Sequence, residues 1–393
     1  MSNKPVYIVS AVRTAIGKAP SGMFKNTRPD DLLAAVLKEA AAPIDPHLID
    51  DVIVGCAMPE GEQGMNVARI ATLLAGLPVE TPAVTVNRFC SSGLQSIAMA
   101  AERIQSGQAD VIIAAGVESM SMVKFRPDRM KPSLRYFEDP FIPLNYGMGI
   151  TAEIVAERWK ISRQMQDTFA FESHQKALAG IKSGEGSLGI LPYTVSENYP
   201  NLATGLIDTK TKIAAVDEGP RADTTLEKLA KLKPVFKNKG TVTAGNSSQM
   251  SDGAAALLLV SEDILNQYGL TPLAELKSFA VAGVPPEVMG IGPMVAIPRA
   301  LEMAGLGLED MQWIELNEAF AAQALAVIQE LNSDTTIINP VGGAIALGHP
   351  LGATGAVKST MMIHGMRARK QKYGMVTMCI GTGMGACGVF EIF

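Results

Sequence analysis

Cysteine, histidine and aromatic residues are all scarce in this chain of 393 residues: four Cys, four His, and Phe, Tyr and Trp together at 5%. Cys56, Cys90, Cys379 and Cys387 are too few and too far apart for a disulfide framework, and their spacing fits no usual zinc pattern. A reducing compartment and no metal are the natural reading. Long apolar runs are missing as well. The most apolar stretch, Ala254–Val260, is far too short to span a bilayer. The start, MSNKPVYIVSAVRTAIG, has no run of signal-peptide length, and the final EIF carries no peroxisomal address, so a cytoplasmic protein is expected. Neither charge dominates. Lys+Arg 34 against Asp+Glu 39 gives a net −5, which argues against a nucleic-acid binder.

What the chain has in quantity is apolar side chains, 47% against 19% charged, enough for a large core and unlike a low-complexity chain. The length exceeds one ordinary domain, so two or three domains or one duplicated fold is expected.

Strand and helix signals alternate over the first 120 residues. Val6–Val12 is apolar and β-branched, Asp31–Ala42 has helical periodicity, Val52–Ala57 reads as a buried strand and Val67–Ala75 as a helix. Ala83–Val86 is strand-like, Ser91–Ile104 helical, and Val111–Ala115 strand-like again. That order predicts an α/β fold with a parallel sheet covered on both faces. After Thr271 it returns: strand Leu273–Val281, helix Pro293–Ala304, strand Trp313–Leu316, helix Ala319–Leu331, strand Thr335–Ile338, a long helix after Gly352, and strand Met375–Ile380.

Cys90 falls over His349 and Gly93 over Gly352, both at a spacing of 259, while Ala114–Gly116 falls over Cys379–Gly381 at 265, implying a short indel. Ala254–Val260 matches Ala386–Ile392 as the last strand of each copy. This is an internal repeat. The expected organisation is one half at 1–118 plus 250–271, a second half at 272–393, and an inserted lobe at 119–249. The lobe differs in texture, with Pro and Tyr scattered through 127–147, one helix at Ala152–Ala177, and Lys and Arg clustered in 209–239. It reads as a lid or binding lobe grafted onto a rigid core.

Three residues in glycine- and serine-rich settings carry the chemistry: Cys90 in NRFCSSGLQS, His349 in GGAIALGHPLGATGA and Cys379 in CIGTGMGACG. A thiol just before a helix is expected to have a lowered pKa, because the first-turn N–H groups favour thiolate. A second thiol and an imidazole supply a base and a carbon acid/base. Cys56 and Cys387 read as inert small hydrophobes. His47, His174 and His364 read as ordinary solvated or capping residues. Gly383–Gly388 spells a dinucleotide fingerprint, but no helix can follow it before Phe393.

The chain resembles thiolases (acetyl-CoA C-acyltransferases) over essentially its whole length. NRFCSSGLQS is similar to the nucleophile block, NEAFAAQ at 317–323 to the Asn-Glu block, GHPLGATGA to the histidine block, CIGTGMG to the second-cysteine block, and GTVTAGNSSQMSDGAAA at 240–256 to the segment closing the first half. The resemblance implies the thiolase fold, two duplicated βαβαβαββ half-domains in a layered αβαβα arrangement with an inserted loop domain. It further implies that Cys90 is the acyl-accepting nucleophile, His349 its base, Cys379 the acid/base at carbon, and Asn317 the holder of an oxyanion water. The N–H groups of Cys90 and Gly381 would form the second oxyanion hole.

Coenzyme A is the implied co-substrate, with no permanently bound cofactor. Arg221, Ala244 and Ser248 align with its contacts, and Lys228, Lys231 and Lys233 could meet its phosphates. The Lys-rich stretch 228–239 also reads equally well as a solvated helix face. Met148 and Met289 align with the acyl pocket, and Phe320 lies beside the thioester end. The wording CSSGLQ, CIGTGMG and YGMGITAEIVAE, with Gly147 where many synthetic relatives carry histidine, resembles the degradative 3-ketoacyl-CoA branch more than the acetoacetyl-CoA branch. A homodimer or homotetramer is implied, and a hydratase/dehydrogenase partner subunit is compatible but has no motif here. Two rivals stand beside this reading. A ketoacyl synthase of the same fold would lack a second catalytic cysteine such as Cys379. A thiolase-like acyl-CoA or lipid carrier would have lost the residues that are intact here.

Overall fold

The computed structural model describes residues 4–124 and 131–393. The first half runs β1 (Val6–Arg13), a two-residue β2 (Gly17–Lys18), α1 (Pro29–Ala40), β3 (Asp51–Gly55), α2 (Val67–Leu74), β4 (Ala83–Val86), α3 (Ser92–Gln105) and β5 (Val111–Ser119). The chain then leaves the sheet through α4 (Met148–Arg158), α5 (Arg163–Ser183), the hairpin β6 (Tyr193–Asn201) and β7 (Leu206–Ala214), and α6 (Leu226–Ala230). It returns with β8 (Ser251–Ser261) and α7 (Glu262–Gln267). The second half runs β9 (Ala274–Gly283), α8 (Gly292–Ala304), β10 (Trp313–Leu316), α9 (Ala321–Leu331), α10 (Ala344–Leu347), α11 (Thr354–Arg369), β11 (Tyr373–Ile380) and β12 (Met384–Ile392).

Local chemistry sets the ends of these elements. Pro29 opens α1, with Asp30 and Asp31 facing the positive end of its dipole. Ser162 caps α5 by accepting the Met165 N–H, and Gly184 closes it in the left-handed conformation at φ 83°. β8 is buried at all eleven positions, as an apolar strand in mid-sheet must be.

The halves build matching sheets, five main strands in the first and four in the second. The first orders β4-β3-β5-β8-β1, with β3 parallel to β4 and β5, and β8 antiparallel to both its neighbours. The second orders β10-β11-β12-β9 with matching directions, and the halves join where β1 meets β9. Side chains alternate across the strands, so each sheet has two apolar faces. On one face of the first sheet, Val52, Val54, Ile113 and Leu258 pack under Leu32, Leu33, Val36 and Leu37 of α1. On the other, Ile53, Ile112, Leu257 and Leu259 meet Leu94 and Ile97 of α3 and Val357, Met361 and Met362 of α11, which also contact Val376, Met378 and Phe390 of the second sheet. The far face of that second sheet, with Ile314, Leu316, Met375 and Val389, is covered by Ile297 and Leu301 of α8 and Val327 and Ile328 of α9. The layers are therefore helix, sheet, helix, sheet, helix, with α3 and α11 as the shared middle layer.

The true register of the repeat differs from the one read in the sequence. Asp51↔Ile112 in β3–β5 corresponds to Trp313↔Gly374 in β10–β11, and 313 − 51 and 374 − 112 are both 262. The starts of α3 and α11 obey the same spacing, 354 − 92 = 262. Cys90 therefore superposes on Gly352 and Gly381 on Ser119, while His349 superposes on Asn87. The 259 spacing was off by about one helical turn because GHPLGATGA carries glycines three residues apart at Gly352 and Gly355, so a single Gly–Gly match could not fix the phase.

Two further expectations change. The single helix at Ala152–Ala177 is two helices, broken at Trp159–Ser162, where Lys160 adopts φ 57° and Ser162 starts a new cap. Thr335–Ile338 is only an Ile314↔Ile338 bridge, because the Asp334 carboxylate takes the Thr336 N–H and hydroxyl and Asn339 turns at φ 44°. Part of the Pro- and Tyr-containing stretch, 127–130, lies outside the described residues. No helix among the described residues is long and apolar enough to cross a membrane.

The middle layer is closed by glycine. A Cβ on Gly93 would stand 2.8 Å from Gly352 O and 2.9 Å from Ala356 N, and one on Gly355 would strike Leu94 N, the symmetry-related contact. Gly93→Ala is expected to lower stability by about 1–3 kcal/mol through overpacking, read from the denaturant midpoint. Gly283→Ala, whose Cβ would meet nothing within 4 Å, serves as the neutral control.

Candidate active site

Cys90 sits on a tight elbow between β4 and α3. Phe89, just before it, is held at φ 44°, a conformation that costs energy for a bulky residue. Side chains fix the turn: Asn87 Oδ1 accepts the Phe89 N–H at 2.8 Å, and Asn87 Nδ2 donates to Ala57 O at 3.0 Å. Ser92 Oγ accepts the Arg88 N–H at 2.9 Å and donates to Phe89 O at 2.7 Å. Cys90 is half-buried, with its own N–H and that of Gly381 directed at the sulfur. Burial still dominates and pushes the thiol up to about 11, so the lowered pKa expected from the helix start is not what the fold delivers. In the resting site Cys90 is a protonated thiol.

Cys379 comes from the end of β11. It is buried beside Met289, Phe320, Val288 and Ala319. Desolvation, reinforced by the neighbouring Cys90, pushes its thiol well above the ordinary range. Such a group is a proton donor to a carbanion rather than a nucleophile at neutral pH. Gly381 follows at the β11–β12 turn, where Thr382 at φ 66° and Gly383 at φ 88° swing the backbone toward Cys90.

His349 lies in the loop before α11, held at both ring nitrogens. Nδ1 is 2.6 Å from Thr354 Oγ1, which also lies 3.1 Å from Pro350 O; with the hydroxyl proton on Pro350 O, Nδ1–H donates to Oγ1. Nε2 then carries the lone pair, facing the Asn317 Nδ2 amide at 3.3 Å. Burial, then the positive Lys358, pushes the imidazole down to about 3, so it stays neutral and able to accept a proton. Lys358 is itself buried in an ion pair with Glu315 at 2.7 Å. Asn317 is anchored by its N–H to Thr377 O at 2.9 Å and by Gln323 Nε2 on its carbonyl at 3.2 Å, while its Oδ1 is buried without a partner.

The sequence-derived binding residues fall into two groups. Arg221 and Ala244 line one cavity of about 130 Å³ with His174, Asp223, Lys228 and Gln249. Gln249 connects that cavity to the His349 loop, since its carbonyl accepts the His349 N–H at 3.1 Å. Ser248 is not in the lining; its N–H bonds to Ala319 O at 2.9 Å, toward the Asn317–Phe320 loop. Lys231 and Lys233 do not line it either. Met148 lies against Gly381, and Met289 and Phe320 pack with Cys379. A separate cavity of about 350 Å³ between α5 and α9 contains none of the candidate residues.

Some partners were missed. His174 is not solvated: it is buried, its Nδ1 accepts the Arg221 N–H at 3.2 Å, and desolvation, then Arg221, pushes it down to about 4. His364 is likewise half-buried, bonded through Nε2 to Ala11 O at 2.8 Å. Thr354 was in plain view within GHPLGATGA, five residues after His349 on the following helix. The Lys358–Glu315 pair left no local signal. Among the described residues no cluster of His, Cys, Asp and Glu forms a metal site.

Family models described as the N-terminal and C-terminal domains of thiolase match residues 6–263 and 270–392. The chain belongs to the thiolase family and is an acyltransferase of that family. Among its relatives, the 3-ketoacyl-CoA thiolase of Bacillus subtilis (strain 168) is 50% identical over 397 residues, covering 99% of this chain and 100% of that one. Two crystal structures superpose over 100% of both chains: the Bacillus anthracis acetyl-CoA acetyltransferase (39% identity, TM-score 0.90) and human mitochondrial 3-ketoacyl-CoA thiolase (38%, 0.89).

Because Cys90 rests as a thiol, its alkylation by iodoacetamide in the free enzyme is expected to speed up about tenfold per pH unit between pH 7 and pH 9. Peptide mass mapping over that range reads the rate at Cys90. A plateau below pH 8 would mean a preformed thiolate–imidazolium pair.

Proposed function

We propose that this chain is a 3-ketoacyl-CoA thiolase of fatty-acid β-oxidation, cleaving 3-ketoacyl-CoA with free CoA into acetyl-CoA and an acyl-CoA two carbons shorter. The observation that carries this is the pairing of a poised thiol at Cys90 with a neutral His349, held between Thr354 and Asn317, and a second buried thiol at Cys379. Relatives named 3-ketoacyl-CoA thiolase at 45–50% identity support the degradative side.

The geometry supports a two-stage mechanism. His349 Nε2 takes the proton from Cys90 as the sulfur attacks C3 of the substrate. The C3 oxygen gains charge near the Cys90 and Gly381 N–H groups, and losing one such donor would cost about 10²–10³ in rate. The C2–C3 bond then breaks, Cys379 gives its proton to C2 of the departing acetyl-CoA enolate, and the acyl group stays on Cys90. The thiol of free CoA next attacks that thioester, returning a proton to Cys379 and releasing the shortened acyl-CoA, while the freed Cys90 sulfur takes its proton back from His349. The thioester oxygen faces the water that Asn317 holds with His349. Kinetics are ping-pong.

Residues 119–249 act in this reading as the CoA-binding lobe, with Arg221, Ala244 and Ser248 along the cofactor path and Met148, Met289 and Phe320 around the acyl end. CoA is a substrate, and no resident cofactor is needed. The alternative, acetoacetyl-CoA thiolase running as a condensing acetyl-CoA C-acetyltransferase, is favoured by the superposition on an acetyl-CoA acetyltransferase. Thiolysis rates for acetoacetyl-CoA and a medium-chain 3-ketoacyl-CoA separate the two, and the degradative reading expects the longer substrate to be at least as fast. In the same assay Cys90→Ser is expected to abolish acyl-enzyme, whereas Cys379→Ser still acylates from a simple thioester but loses carbon–carbon bond cleavage. Turnover only on the four-carbon substrate would overturn the assignment.

The chain works in the cytoplasm as a homo-oligomer, at least a dimer. β4 is an unpaired sheet edge with Val84 exposed, and Met65, Ile70, Leu73 and Leu74 form an apolar patch beside it. A second copy of the chain covers this patch. Leu73→Glu combined with Leu74→Glu is expected to shift the sedimentation coefficient to that of a monomer; an unchanged oligomer would place the interface elsewhere.

A further inference from the structure

The two halves carry two copies of the turn that precedes a middle-layer helix, and the copies are finished differently. In the 262-residue register the Cys90 and Gly381 N–H groups correspond to those of Gly352 and Ser119. The first pair faces the reactive sulfur. The second pair is stoppered. Gly352 N–H donates to Glu118 Oε2 at 2.8 Å, and Ser119 N–H donates to Gln63 Oε1 at 2.6 Å. The stopper is tied internally: Gln63 Nε2 donates to Glu118 Oε1 and, at 2.9 Å, to Met58 O, while Ala57 N–H reaches Glu118 Oε2 at 2.9 Å. Both side chains are buried.

The reason for a stopper is physical. Two buried, converging N–H groups with no acceptor would cost about 1–3 kcal/mol each. The open copy has a substrate oxygen to receive; its twin has none. The stopper also grips a sensitive place. Gly352 packs backbone to backbone on Gly93, at the foot of the helix that follows Cys90, and His349 lies three residues before Gly352 on the same loop. Any slack at Gly352 moves both reacting groups.

We propose that Glu118, held by Gln63 in the twin of the oxyanion hole, is a positioning residue that fixes the Gly352 turn and thereby the relative placement of Cys90 and His349. This rests on reading the Cys90 and Gly381 N–H groups as the oxyanion donors.

The test is steady-state thiolysis of a medium-chain 3-ketoacyl-CoA by Glu118→Gln and by the exchange Glu118→Gln with Gln63→Glu, with melting temperatures alongside. In the single variant one oxygen remains for Gly352, but the new amide faces the Gln63 amide, donor against donor. In the exchange, donor again faces acceptor and an oxygen remains for Ser119. The single variant is expected to lose about 10–100-fold in kcat with KM within about twofold, and the exchange to recover most of the loss. A folded Glu118→Gln with kcat within about twofold of wild type, or an exchange no better than the single variant, would overturn the proposal. If Glu118→Gln does not fold, Glu118→Asp carries the test: its carboxylate is drawn back one methylene from Gly352, the same kcat loss is expected, and kcat within about twofold of wild type overturns the idea. Wild type incubated with substrate alone is mapped in parallel. An adduct missing from Cys90 there would indict the nucleophile, whereas a normal adduct with insensitive Glu118 variants indicts only the stopper.

Discussion

Backbone-on-backbone packing of two glycine turns in the middle layer sets the rest of this molecule. Gly93 rests on Gly352 and Ala356, and Gly355 rests on Leu94, with no room for a Cβ at either place. That contact brings the starts of α3 and α11 together. Each helix follows a loop that carries one half of the chemistry, Cys90 on one and His349 on the other. The parallel strand ends complete the set, since β10 leads into Asn317 and β11 carries Cys379 next to its last residue and leads into Gly381. A layered core with both sheets buried on both faces gives these loops a stiff base, so the site is built by architecture more than by local motif.

Two electrostatic effects compete at Cys90, and their sizes decide the resting state. A helix start offers a thiolate about 0.3–1 kcal/mol, up to about 2 in partly buried geometries. Desolvation acts the other way and, net of the two N–H groups at the sulfur, pushes the Cys90 thiol up to about 11. Burial therefore wins over the helix start and the two N–H groups at the sulfur, and Cys90 waits as a thiol. The same burial keeps His349 neutral with its Nε2 lone pair available. Neither group carries charge until substrate arrives, which suits a dry site in which an isolated ion would be expensive. Cys379, deeper still, is held protonated by the same desolvation.

Much of this was legible in the sequence because it was written in local pattern. Alternating strand and helix signals recovered the duplicated sheet, and the glycine-rich blocks around Cys90, His349 and Cys379 marked where loops meet. What was hidden depended on distance. The repeat phase slipped by three residues because HPLGATG offers glycines at two settings, and only strand pairing fixes which one matches Gly93. His174 lies in the polar sequence FESHQK, yet the fold buries it against the Arg221 backbone. Glu118 and Gln63 are 55 residues apart and carry no spacing signal, although together they finish one whole turn of the repeat. The break near Lys160 was missed because a left-handed lysine leaves no mark in an apolar pattern.

The central claim is that sulfurs from opposite halves of the duplication share one small site. A short bifunctional thiol reagent such as dibromobimane, added to the intact enzyme at alkaline pH, tests this directly, because it bridges only sulfurs that lie close together. A single cross-linked peptide pair joining Cys90 to Cys379 is the predicted product, formed with loss of thiolysis and suppressed by bound acyl-CoA. Modification of Cys90 alone at saturating reagent, or a bridge from it to Cys56 or Cys387, would contradict the account.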